Sequence, residues 1–324
     1  MVGAGRWLRA ENLARNKMIE KKTFCVPSSD GIHTLSGYVY LPEKEAKGLF
    51  HVVHGMTEHI ARYDRLFTDM AKNGWISFGY DNLGHGQTAN DDSELGYIAR
   101  KKGWERLAED VKVFSDAVRK ELGNENMPYV LMGHSMGSFI VRLASQRYVK
   151  PDRLIIMGTA GKNPACDPAI FLINTIKLFK GEKHVSRFMD NVAFGSYNKR
   201  FGKETESDPK LWLSTLEESR QAYYADKYCM FKFKISAMGD LMRLIKYSNS
   251  GAWYKKLPTD FPILLVSGKD DPVGNFGKGI LEVEKKLKKR ARNVTCKLYE
   301  GARHEILNDF CYDEVVNDII EFCS

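Results

Sequence analysis

The stretch "VLMGHSMGSFIV", residues 130–141, joins an apolar run that reads as a strand to one that reads as a helix. Its centre is Gly133-His134-Ser135-Met136-Gly137. The pattern G-x-S-x-G alone is a weak signal, and the strand-to-helix context gives it meaning. A serine at so tight a turn is forced toward positive φ, at a cost of about 1–3 kcal/mol. Gly133 and Gly137 remove side chains that would collide across the turn. The helix that begins here aims its first N–H groups at developing negative charge. Ser135 is therefore a candidate nucleophile.

Outward from this turn, strands and helices alternate. "GLFHVVHG" (48–55), "WISFGYD" (75–81), "PYVLMGH" (128–134) and "RLIIMGT" (153–159) read as strands. "RYDRLFTDMAKNG" (62–74), "WERLAEDVKVFSDAVRKEL" (104–122) and "GSFIVRLASQRY" (137–148) carry helical spacing between them. Such alternation predicts βαβ units, and so an α/β protein with a mostly parallel sheet. "KKTFCVPS" and "HTLSGYVYLP", around the turn "SDG", predict an antiparallel hairpin at the sheet's edge. The rhythm breaks after Gly161. "DPAIFLINTIKLF" (167–179) and most of the stretch 211–247 predict helix, before a strand returns at "FPILLVSG" (261–268). A helix over 277–292, a strand over 294–301 and a last helix over 312–322 complete the chain. The predicted organisation is a basic N-terminal extension (1–17), a core (18–161 and 251–324) and a helical cap inserted over 162–250, too long for a plain loop.

Composition narrows the class. The 324 residues are 43% hydrophobic and 28% charged, with a net charge of +8. No apolar run approaches the ~18 residues of a membrane span, and the start lacks a signal peptide's apolar core, so a cytoplasmic protein is expected. Six scattered cysteines predict neither a disulfide framework nor a zinc site. "KKLKKRAR" (285–292) reads as the solvated face of a helix whose buried stripe is Leu281, Val283 and Leu287, not as a nucleic-acid contact. His51, His54 and His59 crowd one segment without metal-binding spacing, so no metal is expected. His54 and His85 are expected to brace loops by hydrogen bonding, with Glu58 and Asp81 as structural anchors. The helix over 167–179 is apolar on nearly every side and flanked by Lys177, Lys180 and Lys183. It fits a buried cap helix or a lipid-facing one that meets an anionic membrane surface.

A nucleophilic serine needs a base, and the base needs an acid to fix its tautomer. In a fold of this kind the acid and then the histidine follow the serine, in loops after late strands. "LLVSGKDDPV" offers Asp270 and Asp271, and "KLYEGARHEIL" offers His304. Only His184 and His304 follow Ser135, and His184 falls within the insertion. The expected oxyanion donors are the N–H groups of Met136 and, in "HGMTEH", of Met56 behind His54-Gly55.

With these pieces in order, the chain resembles the α/β-hydrolases. Within them it is similar to the monoacylglycerol lipase and lysophospholipase branch, of the serine aminopeptidase S33 type. "HGMTEHIARY", "YDNLGHGQT", "GHSMG", "SGKDDPV" and "EGARHEIL" carry the resemblance, over about 20–160 and from 255 onward. It implies Ser135 as nucleophile, His304 as base, Met56 and Met136 as oxyanion donors, and, through G-x-x-D spacing from Gly268, Asp271 as the acid. Ile60 and Ala61 depart from the serine and small residue more usual in that loop. The implied reaction is hydrolysis of a carboxylic ester of a lipid, a monoacylglycerol or lysophospholipid, with no cofactor. A short-chain carboxylesterase, a proline-releasing aminopeptidase and an acyltransferase are alternatives on the same triad. A ligand-binding protein without catalysis is a further one, although no triad member is missing.

Overall fold

The computed structural model describes residues 19–124, 126–206 and 208–324, so the expected extension over 1–17 lies outside it. Strands β1 (Glu20–Pro27), β2 (Thr34–Leu41), β3 (Gly48–Val53) and β4 (Trp75–Tyr80) are followed by β5 (Tyr129–His134), β6 (Arg153–Met157), β7 (Ile263–Gly268) and β8 (Val294–Tyr299). They form one eight-stranded sheet in the order β1-β2-β4-β3-β5-β6-β7-β8. β1 and β2 make the antiparallel edge hairpin, β2 runs antiparallel to β4, and every pairing from β4 to β8 is parallel. All residues of β3, β4, β5 and β7 are buried. Helices on both faces of a parallel sheet cause this, and it is why these strands read as unbroken apolar runs.

The helices are α1 (Asp64–Lys72), α2 (Gly103–Leu122), α3 (Met136–Arg147), α4 (Cys166–Lys180), α5 (Arg187–Phe194), α6 (Glu217–Ala225), α7 (Ile235–Ser248), α8 (Gly251–Lys256), α9 (Lys278–Leu287) and α10 (Tyr312–Cys323). α1 and α10 cover one face, where Leu66, Phe67, Val315 and Ile319 pack with Phe50 and Ile155. α2, α3 and α9 cover the other, where Val111, Phe114, Ile140 and Val283 pack with Leu131 and Ile156. Each such side chain contributes about 1.5–3 kcal/mol of burial. α4 to α8 all lie between β6 and β7, where the strand rhythm of the sequence breaks. Because the parallel strands share a direction, the loops leaving β3, β5, β7 and β8 gather at one edge of the sheet.

Three expectations are refined. The stretch 211–247 is mostly but not wholly helix: α6 and α7 are separated by a non-helical segment over 226–234, a turn at 227–229 followed by irregular chain. The turn closes with Cys229 N–H donating to the Asp226 carbonyl (3.0 Å), and at the segment's end Lys234 N–H donates to the Gly96 carbonyl (2.8 Å) and Ile235 N–H to the His184 carbonyl (2.7 Å), so there the backbone bonds outward. The helix expected over 277–292 ends at Leu287, leaving part of the basic run in a turn. Its buried stripe is Ile280, Val283 and Leu287, whereas Leu281 is exposed. On α4 only Cys166 and Ile173 are buried, while Phe171, Leu178 and Phe179 are 76%, 79% and 80% exposed. The helix is therefore not a buried one.

Candidate active site

Ser135 stands between β5 and α3 with φ 52° and ψ −119°, a conformation that L side chains rarely adopt. The turn is held by Ser135 N–H donating to the Met157 carbonyl (3.0 Å) and Ser138 N–H to the Ser135 carbonyl (2.9 Å). A Cβ on Gly137 would run into the Val53 carbonyl, and one on Gly133 into the Gly137 carbonyl. These close approaches, not flexibility, are what both glycines provide.

Three side chains distant in sequence meet at this turn. His304 Nε2 lies 2.8 Å from Ser135 Oγ, and His304 Nδ1 lies 2.9 Å from Asp271 Oδ2. Asp271 is fully buried, and burial works against its ionisation. The His304 ring, the Val273 N–H and the Ser267 hydroxyl outweigh that and hold its carboxyl below the ordinary range. The neighbouring Asp270 makes no such contact: its side chain bonds neither histidine nor serine. Met136, as the first residue of α3, has an N–H that no intrahelical carbonyl accepts. Met56 and Met136 both line the same cavity as Ser135 and His304. Gly55 N–H donates to Glu58 Oε1 (2.5 Å), while His54 Nδ1 bonds the Gly55 carbonyl (2.8 Å) and His54 Nε2 accepts from Asn82 N–H (2.9 Å). Burial lowers the pKa of His54 to about 3, so it braces the loop as a neutral ring.

Behind the serine lies a network that the sequence reading did not foresee. His134 Nδ1 meets Glu58 Oε1 at 2.9 Å and the Tyr63 hydroxyl at 3.0 Å, and His134 Nε2 faces the His304 carbonyl at 3.3 Å. Burial opposes charge on both partners. Their mutual attraction nevertheless raises His134 and, aided by Arg62, lowers Glu58. Arg62 also grips Glu305 with two bonds of 2.7 Å. Glu58, expected as an anchor, the "x" of G-x-S-x-G and the residue after the histidine are linear hints of this network, but none shows their connection. Its partners are up to 243 positions apart, beyond any local pattern.

The histidines grouped in the sequence turn to separate partners. His51 stacks on Phe78 in the core and bonds the Tyr129 hydroxyl (2.8 Å). His59 pairs with Asp226 at 2.6 Å, and Cys229 completes a group of three potential ligands within 4.8 Å. Burial pushes the Cys229 thiol well above its ordinary value, against a smaller opposing effect of Arg62.

Over the serine opens a cavity of about 470 Å³, closed on its far side by α5, α7 and the segment 209–213. Phe139, Leu241 and Ile245 form one apolar wall. Trp212, tilted against the His304 ring with centroids 5.2 Å apart, and Tyr223 form another.

A family model described as serine aminopeptidase, S33 matches residues 44–310, most of the chain. The chain belongs to the serine aminopeptidase S33 family. Its sheet order, mostly parallel pairing and flanking helices make it an α/β-hydrolase. Monoglyceride lipase of Mus musculus is 24% identical over 90% of this chain and 86% of its own length. A thermostable carboxyl esterase from Bacillus coagulans, solved with glycerol, superposes with a TM-score of 0.86 at 26% identity, over 93% of this chain and 97% of that one. A soluble variant of monoglyceride lipase from Saccharomyces cerevisiae, solved with a substrate analog, superposes with a TM-score of 0.73 at 18% identity, over 98% of both chains. Among the described residues no helix is long and apolar enough to cross a membrane.

Proposed function

We propose that this family member is a serine ester hydrolase that cleaves the carboxylic ester of a monoacyl lipid, a monoacylglycerol or lysophospholipid. The observation that carries the reading is the relay from Asp271 through His304 to Ser135, with contacts of 2.9 and 2.8 Å, opening on a largely apolar cavity. Ser135 Oγ attacks the ester carbonyl while His304 Nε2 takes its proton. Asp271 fixes the ring and stabilises its charged form. Negative charge on the tetrahedral oxygen meets the Met56 and Met136 N–H groups, each such donor being worth about 2.7–4 kcal/mol of barrier. Collapse expels the alcohol, protonated by His304, and leaves the acyl group on Ser135. Water deprotonated by His304 then releases the fatty acid. The bound acyl chain lies along Phe139, Leu241 and Ile245.

Residues 162–250 act as a cap over the site in this reading. The exposed apolar face of α4, with Lys180 and Lys183 beside it, rests on an anionic membrane surface. The likeness to a carboxyl esterase favours a second reading, hydrolysis of short-chain esters. Chain-length series of p-nitrophenyl esters, with an aminoacyl amide beside them, separate the possibilities. Rising kcat/KM toward long chains supports the lipid ester. A short-chain optimum replaces it with the esterase, and selective amide cleavage with an aminopeptidase.

A further inference from the structure

The charged groups in the cavity are paired, with one exception. Glu305 is held by Arg62, Glu58 by His134, and Asp190 of α5 by Lys232 at 2.8 Å. Lys210 lines the same cavity, and among the described residues its ammonium pairs with no carboxylate. It instead sits over two rings, 5.1 Å from the centre of Tyr223 and 5.9 Å from that of Trp212. Its backbone is fixed: Lys210 N–H donates to Asp208 Oδ1 (2.9 Å) and to the Tyr224 hydroxyl (3.1 Å). Two residues on, the Trp212 carbonyl accepts from His304 N–H (3.3 Å) and the Leu213 carbonyl from Glu305 N–H (2.7 Å). The segment carrying Lys210 is thus bonded to the loop carrying the histidine.

Burial lowers the Lys210 pKa, as expected of a cation removed from water without a fixed partner. The nearest carboxylates, Glu305 and Asp190, already hold other cations. Lys232 stands on the same side and carries charge of the same sign. An ammonium left unpaired against aromatic rings is costly unless an anion arrives to meet it. Its wall is also distinct from the acyl wall. Leu213, Tyr223 and Cys229 form a cluster of their own, apart from the core cluster that holds Phe139 and Leu241.

We infer that Lys210 is a specificity-determining residue that binds an anionic phosphate on the alcohol part of the substrate, so that the favoured ester is a phosphate-bearing monoacyl lipid. This deepens the ester-hydrolase reading and rests on it. The apolar wall takes the acyl chain, and the wall of Lys210, Trp212 and Tyr223 takes the leaving alcohol. The phosphate lies against the ammonium, and the rings cover the carbon atoms of the alcohol.

The test compares 1-oleoylglycerol with 1-oleoylglycerol 3-phosphate, each at the same low mole fraction in neutral detergent micelles. Turnover is expressed per Ser135 site titrated with a fluorophosphonate, which corrects for misfolded protein. Wild type is expected to favour the phosphate ester in kcat/KM. Lys210→Gln should lower the ratio of the two kcat/KM values about tenfold to a hundredfold, the usual loss for a charge-assisted bond. Lys210→Arg should keep most of the preference, and Lys210→Glu should reverse it. A ratio unchanged in Lys210→Gln, or a wild-type preference for the neutral ester, overturns the inference while leaving the hydrolase reading intact. Wild-type protein that cleaves neither ester overturns both.

Discussion

At the scale of single residues, Ser135 holds a backbone conformation that only its surroundings sustain. Ser135→Ala removes the nucleophile while keeping a side chain that fits the turn, so turnover of any ester should fall at least ~10³-fold with an unchanged unfolding midpoint. Asp271→Asn leaves the shape intact but presents His304 with the wrong partner, and kcat should drop roughly 10⁴-fold. Gly137→Ala forces a methyl group into the Val53 carbonyl, and urea unfolding should show a loss of about 3 kcal/mol or more. Glu58→Gln weakens the contact with His134 and loosens the Gly55 N–H. We expect kcat to fall about tenfold to a hundredfold with a smaller change in KM, because the group orients the loop that carries the Met56 N–H. Ser135, His304 and the aspartate loop were legible in the sequence because each sits in a short motif at a strand end. Arg62, Glu305 and Lys210 were not. Their roles come from contacts between segments that no local spacing relates.

At the scale of elements, the sheet was legible because strands buried on both faces are continuous apolar runs. The inserted segment was less so. Over 226–234 the chain turns at 227–229 and then runs irregularly to α7, yet its buried positions Cys229 and Phe233 are four apart, the spacing a helix would also show, in a stretch flanked by helix formers. One helix contact has a measurable pH signature. Asp240 of α7 accepts from the Gly103 and Trp104 N–H groups at the start of α2, and burial raises its pKa to about 7. The folded protein therefore keeps a proton that the unfolded chain has already released above the ordinary carboxylate range. The stability it contributes is full in acid and is lost as pH rises toward about 7. Urea unfolding at pH 5 and 7.5 should show wild type losing more stability than Asp240→Asn across that interval, by up to ~1.4 kcal/mol per pH unit.

At the scale of the whole molecule, the proposed membrane contact joins a net charge of +8 to the outward apolar face of α4. Lys180→Glu with Lys183→Glu should weaken co-sedimentation with phosphatidylserine vesicles about tenfold to a hundredfold, at roughly 1 kcal/mol per lysine, and leave binding to neutral vesicles little changed. The double variant should still hydrolyse a dissolved p-nitrophenyl ester at the wild-type rate. The inserted segment is not fastened evenly. Its second half is bonded to the histidine loop through Trp212 and Leu213 and to the first loop through Tyr223, whose hydroxyl reaches the Thr57 carbonyl at 2.8 Å. Its first half, α4 and α5, has no comparable anchorage to those loops. Trypsin should therefore nick the chain near Lys180 and Lys183 well before it reaches Lys210 or Arg220. The cleaved molecule, still clasped around its histidine, would remain a competent hydrolase toward small dissolved esters after losing its grip on vesicles.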